Sequence, residues 1–272
     1  MNFLRSIKKF FATNQILFAG NDSEGLRYGT ISSPEKFYLS WKEDVEDNSR
    51  LLLDKYLIKM CSKERIIELI YDFIVFETGI KKLPRAHQYF GVKESQKYVN
   101  RHEGGIIWHT QGSGKTALAY YNVKCLTDYF RQKGKVAKFY FIVDRLDLLV
   151  QASREFRDRG LIVHLINSKE EFALDIKRNQ AVHNNIGKSE ITVVNIQKFY
   201  DDQSVTQIND YSLNIQRVFF LDEVHRSYNP NGSFLANLEQ ADNSSIKIGL
   251  TGTPLLGKEF NSKMIFGDFQ FF

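Results

Sequence analysis

The chain has 272 residues, enough for one large domain or for one domain with a smaller piece attached. Hydrophobic residues make up 43% and charged residues 25%, which excludes a disordered chain, and no apolar run is long enough to cross a bilayer. The formal net charge of +5 permits a nucleic-acid partner without requiring one.

At the N-terminus, "MNFLRSIKKFFATNQILFAG" places basic residues ahead of a short apolar part interrupted by Asn14 and Gln15, so no signal peptide is expected. Cys61 and Cys125 lie far apart and in no metal-ligand spacing, which predicts two free thiols in a reducing cytoplasm. Residues 1–45 read as short strands and turns, with "QILFAG" and "KFYLSW" as apolar runs around the turn cluster "NDSEG". Residues 46–82 read as helical. Within them "SKERIIELIYDFIVFETG" predicts one helix that opens on Ser62 as its cap and ends at Gly79. A second helical run, "RAHQYFGVKESQKYVN", follows Pro84.

The pattern changes from residue 105. "GIIWH" is a short strand, followed by a glycine loop and the helix "KTALAYYNVKCLTDYFRQKG". "AKFYFIV" is a strand of the fully buried kind and "DRLDLLVQASREFRDRG" a helix. "LIVHLI", "EITVVNI", "QRVFFLD" and "SIKIGLTG" are further strands. Strands that are apolar throughout and alternate with helices predict an α/β domain over residues 83–272, a parallel sheet with helices on both faces. A small α+β segment precedes it.

Within "WHTQGSGKTALAYY", Gly112, Ser113, Gly114, Lys115 and Thr116 lie between a strand and a helix. A phosphate-binding loop needs that context. Glycines let backbone N–H groups converge on the phosphates, the helix points its positive end at them, the lysine neutralises charge and the hydroxyl binds Mg²⁺. The general pattern has glycine at its first position, where this chain has His109. The alternative is a flexible Gly-Ser turn that happens to precede a lysine.

In "VFFLDEVHRSYNP" a buried strand ends in Asp222 and Glu223. Ligands gather at the carboxyl ends of parallel strands. Asp222 there is a candidate to hold Mg²⁺ with Thr116, and Glu223 to take a proton from the attacking water. A solvated acidic turn is the alternative. "IGLTGTP" places Thr251, Gly252 and Thr253 at the end of another strand, where the hydroxyls could bond to the carboxylates and sense the γ-phosphate. Lys115, Asp222 and Glu223 are thus the candidate catalytic residues. His87, His102, His164 and His183 share no metal spacing and read as surface or packing residues. The abundant Tyr and Phe read as core.

Together, G-S-G-K-T, D-E-x-H and T-G-T-P resemble the first motor domain of a superfamily-two helicase or translocase, which implies a RecA-like fold. The finer wording, "IIWHTQGSGKT", "FIVDRLDLLVQ", "ITVVNIQKF", "FFLDEVHRSYNP" and "GLTGTPLL", resembles the R subunit of type I restriction enzymes, where a histidine at the place of His109 is expected. "LRYGTISSPEKFYLSWK" resembles the end of that family's nuclease domain, which makes residues 1–45 its remnant and 46–82 a linker. "RAHQYFGVKESQKYV" resembles its adenine-recognising motif, with Gln88 reading the base. The resemblance implies ATP and Mg²⁺ as cofactors. It also implies double-stranded DNA and the modification and specificity subunits as partners, no membrane, and ATP-driven translocation leading to restriction. It gives His225 a coupling role with Thr251, Gly252 and Thr253, and makes Arg145, Gln197 and Lys198 candidates for DNA-backbone contacts. For those three a solvated loop is the alternative.

The chain departs from the family in three places. No nuclease motif of Asp and Glu-x-Lys is found. The sequence ends at "FGDFQFF", ahead of the second motor domain and its arginine. Val194 and Asn195 stand where a Thr-Thr pair is usual. An arginine of that kind is worth on the order of 10³–10⁵ in rate. The isolated chain is therefore expected to bind Mg-ATP weakly, hydrolyse it barely, and neither translocate nor cut. A stand-alone helicase fragment and an inactive nucleotide-binding remnant are the competing readings.

Overall fold

The computed structural model describes residues 13–31, 33–43, 49–177, 188–195, 214–223, 242, 244–253 and 269–271. The chain divides into two compact units, residues 1–89 and 90–272.

The first unit opens with an antiparallel sheet of β1 (Leu17–Asn21), β2 (Gly25–Gly29) and β3 (Leu39–Ser40). Helix α1 (Leu52–Met60) and helix α2 (Lys63–Glu68) follow, and α2 runs on as a π-helical turn over Leu69–Phe73. The long helix expected up to Gly79 is not formed. Ser62 holds the N-cap position without a side-chain cap bond, and after Ile74 the chain makes a hairpin, β4 (Val75–Glu77) and β5 (Ile80–Lys82). The cause is the turn between them. Thr78 and Gly79 have φ of 49° and 81°, the pair of positive values that a two-residue hairpin turn requires. Helix α3 (Ala86–Asn100) begins in this unit and ends in the next.

The second unit contains β6 (Gly105–Trp108), α4 (Lys115–Gln132), β7 (Val136–Val143), α5 (Leu146–Asp158), β8 (Ile162–Ile166) and α6 (Lys169–Lys177). It continues with β9 (Glu190–Asn195), β10 (Ile215–Asp222), β11 (Ile246–Thr251) and β12 (Phe269–Phe271). The described strands form one sheet in the order β12-β6-β11-β10-β7-β9-β8, with all pairs parallel. This is the expected RecA-like sheet flanked by helices. The central strands are buried on both faces, because side chains that alternate across a strand are covered on each side. Neighbouring strands pack by cross-strand aromatic pairs. Tyr140 stacks on Phe219 with ring centroids 4.7 Å apart, and Phe139 lies over Phe220 at 6.3 Å. Helix α5 buries Leu149, Ala152, Ser153 and Phe156, one stripe at helical spacing, and sets Phe156 edge-on to Phe141.

Because the sheet is parallel, Trp108, Thr251, Asp222 and Val143 all lie at the same edge. The register pairs Thr251 with Trp108, Asp222 with Leu250 and Leu221 with Ile142. The chain skips from β6 to β7 past the two strands between them, which makes this edge a switch point of the kind where α/β sheets bind ligands.

Candidate nucleotide site

Four strand ends build the site. After β6, His109 is 3% exposed, and its backbone N–H donates to the Thr251 carbonyl at 3.0 Å, which ties the start of the glycine loop to β11. Gly112 and Gly114 have φ of 77° and 86°, the left-handed region in which a side chain is strained, and no atom comes within 4 Å of a Cβ placed on Gly112. The loop then turns straight into α4 at Lys115, with Leu118 N–H bonded back to the Gly114 carbonyl at 3.0 Å. The first N–H groups of an eighteen-residue helix therefore end on this cradle.

Lys115 Nζ lies 2.9 Å from Glu223 Oε1, and both side chains are largely buried. Glu223 has φ of 49°, in the left-handed region although it carries a side chain. Such strain persists only where surrounding structure imposes it, and here it follows directly on the last residue of β10. Asp222 Oδ1 is buried with no hydrogen-bond partner among the described residues. Burial raises its pKa to about 7, with further increases from the neighbouring Glu223 and Asp144, against an opposing effect of Lys115. At the end of β11, Thr251 is fully buried and its hydroxyl accepts the Thr253 N–H at 3.2 Å. The Gly252 carbonyl accepts from Trp108 Nε1 at 2.8 Å. A Cβ on Gly252 would sit 3.4 Å from the Gln111 nitrogen and 3.8 Å from Lys115 Nζ, so this turn rests against the glycine loop.

The structure thus places Gly112, Ser113, Gly114, Lys115, Thr116, Asp222, Glu223, Thr251, Gly252 and Thr253 at one edge of one sheet. Arg145 caps α5 beside them, half-exposed, with its Nε 3.9 Å from Asp144 and 3.8 Å from Asp147. His225, Gln197 and Lys198 lie outside the described residues. Val194 and Asn195 are buried at the end of β9. Gln88 belongs to the first unit, where its side chain is 5% exposed. Sequence reasoning passed over Asp144, which is 6% exposed at the end of β7. The available signal was the same one that marked Asp222, an acidic residue directly after a fully apolar strand.

The residues fit a nucleotide held with a divalent cation. A buried carboxylate with one oxygen unpartnered among the described residues stands next to an open glycine cradle, and among those residues no group of three His, Cys, Asp or Glu is placed to hold a metal by itself. Mg²⁺ is ordinarily held by one or two carboxylates together with phosphates, which matches that sparse donor set.

Comparison with known proteins places this geometry. The chain is 28% identical, over 96% of its length, to the type I restriction enzyme HindI endonuclease subunit of Haemophilus influenzae, and covers 27% of that protein. It is 26% identical over 87% of its length to the putative type I restriction enzyme MjaVIIIP endonuclease subunit of Methanocaldococcus jannaschii, covering 26% of it. The chain therefore spans about a quarter of the length of these relatives, and the resemblance to type I R subunits read from the motifs is borne out. A solved structure of the Sulfolobus solfataricus SWI2/SNF2 ATPase core in complex with dsDNA matches the fold, with a TM-score of 0.50 at 15% identity over 73% of this chain and 37% of that one. Among the described residues no helix is long and apolar enough to cross a membrane. The SWI2/SNF2 ATPase family matches residues 87–270, a span that takes in the glycine loop and both carboxylates, and the chain belongs to that family.

Proposed function

We propose that this chain is the first motor domain of a type I restriction R subunit, and that it binds Mg-ATP at the edge formed by β6, β11 and β10. The observation that carries the reading is the conjunction at those strand ends. An open left-handed glycine cradle, a buried lysine drawn onto Glu223 and the Asp222 carboxylate, with Oδ1 unpartnered among the described residues, lie together.

Backbone N–H groups of Gly112 to Thr116 hold the phosphates, and Lys115 neutralises them. The Thr116 hydroxyl and Asp222 hold Mg²⁺, which when bound supplies charge neutralisation to the phosphate oxygens. Glu223 orients a water and accepts its proton at a carboxylate oxygen. Thr251 and Thr253 lie where a change at the phosphates reaches β11. Gln88 reads the adenine, and Arg145 contacts the DNA backbone with Gln197 and Lys198.

In the full-length subunit, assembled with modification and specificity subunits, ATP turnover drives translocation on double-stranded DNA ahead of cleavage. The relatives' names and the DNA-bound ATPase core support that extension. Residues 1–45 are then the end of the nuclease domain and 46–82 a linker. Calorimetric titration of ATP into Lys115→Ala tests the site: binding is expected to disappear, and affinity like that of the wild type would refute it.

A further inference from the structure

Strand β8 closes one end of the described sheet, and its outer edge opens on a groove of about 420 Å³. Val163 to Ile166 line the groove, with Arg157 of α5 and Glu171 and Leu174 of α6. In a parallel ladder the backbone groups of alternate residues point to opposite sides of the strand. The Ile162 N–H donates to the Ser189 carbonyl at 3.2 Å, so Ile162, His164 and Ile166 turn their backbone to β9. Val163 and Leu165 therefore turn N–H and C=O outward, and among the described residues nothing pairs with those groups. Exposed edges are usually blunted by Lys, Pro or a bulge. Ile162–Ile166 has none of these, and its one polar side chain, His164, is engaged by Glu190 of β9 at 3.2 Å. The two walls of the groove belong to opposite faces of the sheet. Tyr140 and Phe141 are successive residues of β7, so their side chains leave it on opposite sides. The Tyr140 hydroxyl donates to Asp175 of α6, and Phe141 meets Phe156 of α5 edge-on. The register carries these faces across to β8. His164 pairs with Thr192, which pairs with Tyr140, so His164 lies on the α6 face and Val163 and Leu165 on the α5 face. On the α5 wall, Arg157 is exposed and makes no ion pair among the described residues. On the α6 wall, Glu171 accepts the Asn167 N–H at 3.0 Å but meets no cation among the described residues, and Leu174 is 58% exposed.

We propose that the outer edge of β8 is a strand-addition site for a partner protein. The occupant is an extended segment, antiparallel to β8, with an acidic side chain facing Arg157 and a basic one, at the next residue, facing Glu171. Successive side chains of a strand go to opposite faces, so one adjacent Asp-Lys pair answers both walls at once. Main-chain bonds to Val163 and Leu165 supply affinity, and the charges supply the choice of partner. A second copy of this chain fits less well. Antiparallel pairing of β8 with itself places a two-fold axis normal to the sheet, which keeps each face on its own side. The Glu171 wall would then meet the Glu171 wall, and the Arg157 wall the Arg157 wall, and like charges set together disfavour the pairing. Antiparallel addition also has a signature that charge attraction lacks. The residue opposite Val163 or Leu165 points its backbone groups at β8 and its side chain to the α5 face. That residue is the Asp, and the backbone N–H of the Lys beside it points away from β8.

The probe is a dye-labelled peptide, TVTDKVTV, titrated with the full chain and followed by fluorescence anisotropy at low salt. Its alternation sets Asp and Val on the α5 face and Lys and Thr on the α6 face. Two further versions carry an N-methyl group on the Asp or on the Lys amide. Methylation at Asp removes a donor to β8 and is expected to weaken binding about tenfold. Methylation at Lys is expected to leave the affinity unchanged. Arg157→Glu is expected to weaken the parent peptide on the order of fivefold, and Glu171→Gln, which keeps an acceptor for the Asn167 N–H, by about twofold. Both side chains are exposed, so neither variant disturbs the core. Failure of the parent peptide to bind at millimolar concentration would overturn the proposal. Equal affinity of the two N-methylated peptides would overturn strand addition. Unchanged affinity in Arg157→Glu would overturn the assigned charge of the partner. A dimer of the chain in sedimentation that the peptide disperses would make a second copy the occupant and overturn the choice of a partner protein.

Discussion

Strands β7 and β10 carry buried charge at both of their ends, and the two ends treat it in opposite ways. At the amino ends, Lys138 and Arg217 stand opposite each other in register, 3% and 2% exposed. Each meets a carboxylate and a carbonyl. Lys138 Nζ lies 3.0 Å from Asp175 Oδ2 and donates to the Asp175 carbonyl at 2.7 Å. Arg217 pairs with Asp242 at 3.2 Å and donates to the Ile176 carbonyl at 2.6 Å, with only its Nε left without a partner among the described residues, while the Tyr140 hydroxyl donates to Asp175 at 2.8 Å. At the carboxyl ends, Asp144, Asp222 and Glu223 gather beside Lys115. That lysine pairs with Glu223, and Asp222 keeps an oxygen without a hydrogen-bond partner among the described residues. Buried charge that is answered by its neighbours holds α6 and the segment at Asp242 onto the sheet. Buried charge left waiting costs stability and makes sense only if a ligand arrives to meet it.

The comparison breaks first at Arg217. Replacing it with Met keeps much of the side-chain volume but leaves Asp242, 1% exposed, as an uncompensated charge. Removal of one partner of a buried pair costs about 3–5 kcal/mol. Urea unfolding of Arg217→Met should show a loss of that size, with ATP affinity retained at temperatures where the chain stays folded. A loss below about 1 kcal/mol would mean that the amino-end cluster is not what secures the sheet.

Asp222 tests the other end with the opposite sign. Its folded-state pKa of about 7 lies above the ordinary value of roughly 3.9 that it takes in the unfolded chain. The folded protein therefore holds a proton that the unfolded chain releases, across a window from about pH 4 to pH 7. In that window the stability of the nucleotide-free protein falls as pH rises, and above it the whole penalty of the buried charge is present. Asp222→Asn removes the charge. The variant should be more stable than the wild type at pH 8, on the order of 2 kcal/mol against a ceiling of roughly 4, and the gain should vanish towards pH 4. Thermal unfolding at pH 4.5 and pH 8 reads the difference directly. A variant less stable at both pH values would place Asp222 with the structural charges.

How far the sequence showed this contrast depends on the origin of each partner. The phosphate loop, Asp222-Glu223 and Thr251-Gly252-Thr253 were legible because each is a contiguous run whose chemistry depends on backbone spacing, and each follows an apolar strand. The parallel sheet was legible for a similar reason, since its central strands have no polar face. The amino-end cluster was not. Arg217 and Lys138 are single basic residues within largely apolar strands, and their partners come from helix α6 and from Asp242, a placement only the folded sheet creates. The hairpin at 75–82 was missed because "IIELIYDFIVF" supports a helical period until the positive φ values at Thr78 and Gly79 decide the matter. Asp144 was hidden inside a motif read for its strand and its helix.

The smallest effect discriminates most finely, because it concerns the lysine that has a partner at the waiting end. Lys115 is held by Glu223 at 2.9 Å, and phosphates can take that lysine only by drawing it away from the carboxylate, which also repels them. At the amino end the corresponding bond, Lys138 to Asp175, has no such competitor in prospect. Glu223→Gln removes the competing charge while keeping the size of the side chain, so the variant should bind ATP more tightly than the wild type. A largely buried pair of this kind stands above the surface ion pairs, which contribute about 0–1 kcal/mol, and the displacement recovers only part of it. About 1 kcal/mol, roughly a fivefold gain in affinity, is the expected size. The gain should shrink as salt screens the site. Asp175→Asn serves as the matched control: it should lower stability and leave ATP affinity where it was. Equal ATP affinity in Glu223→Gln and the wild type at low salt would mean that the Lys115–Glu223 ion pair is not what the nucleotide displaces, and Lys115 would then belong with the answered charges of the other end.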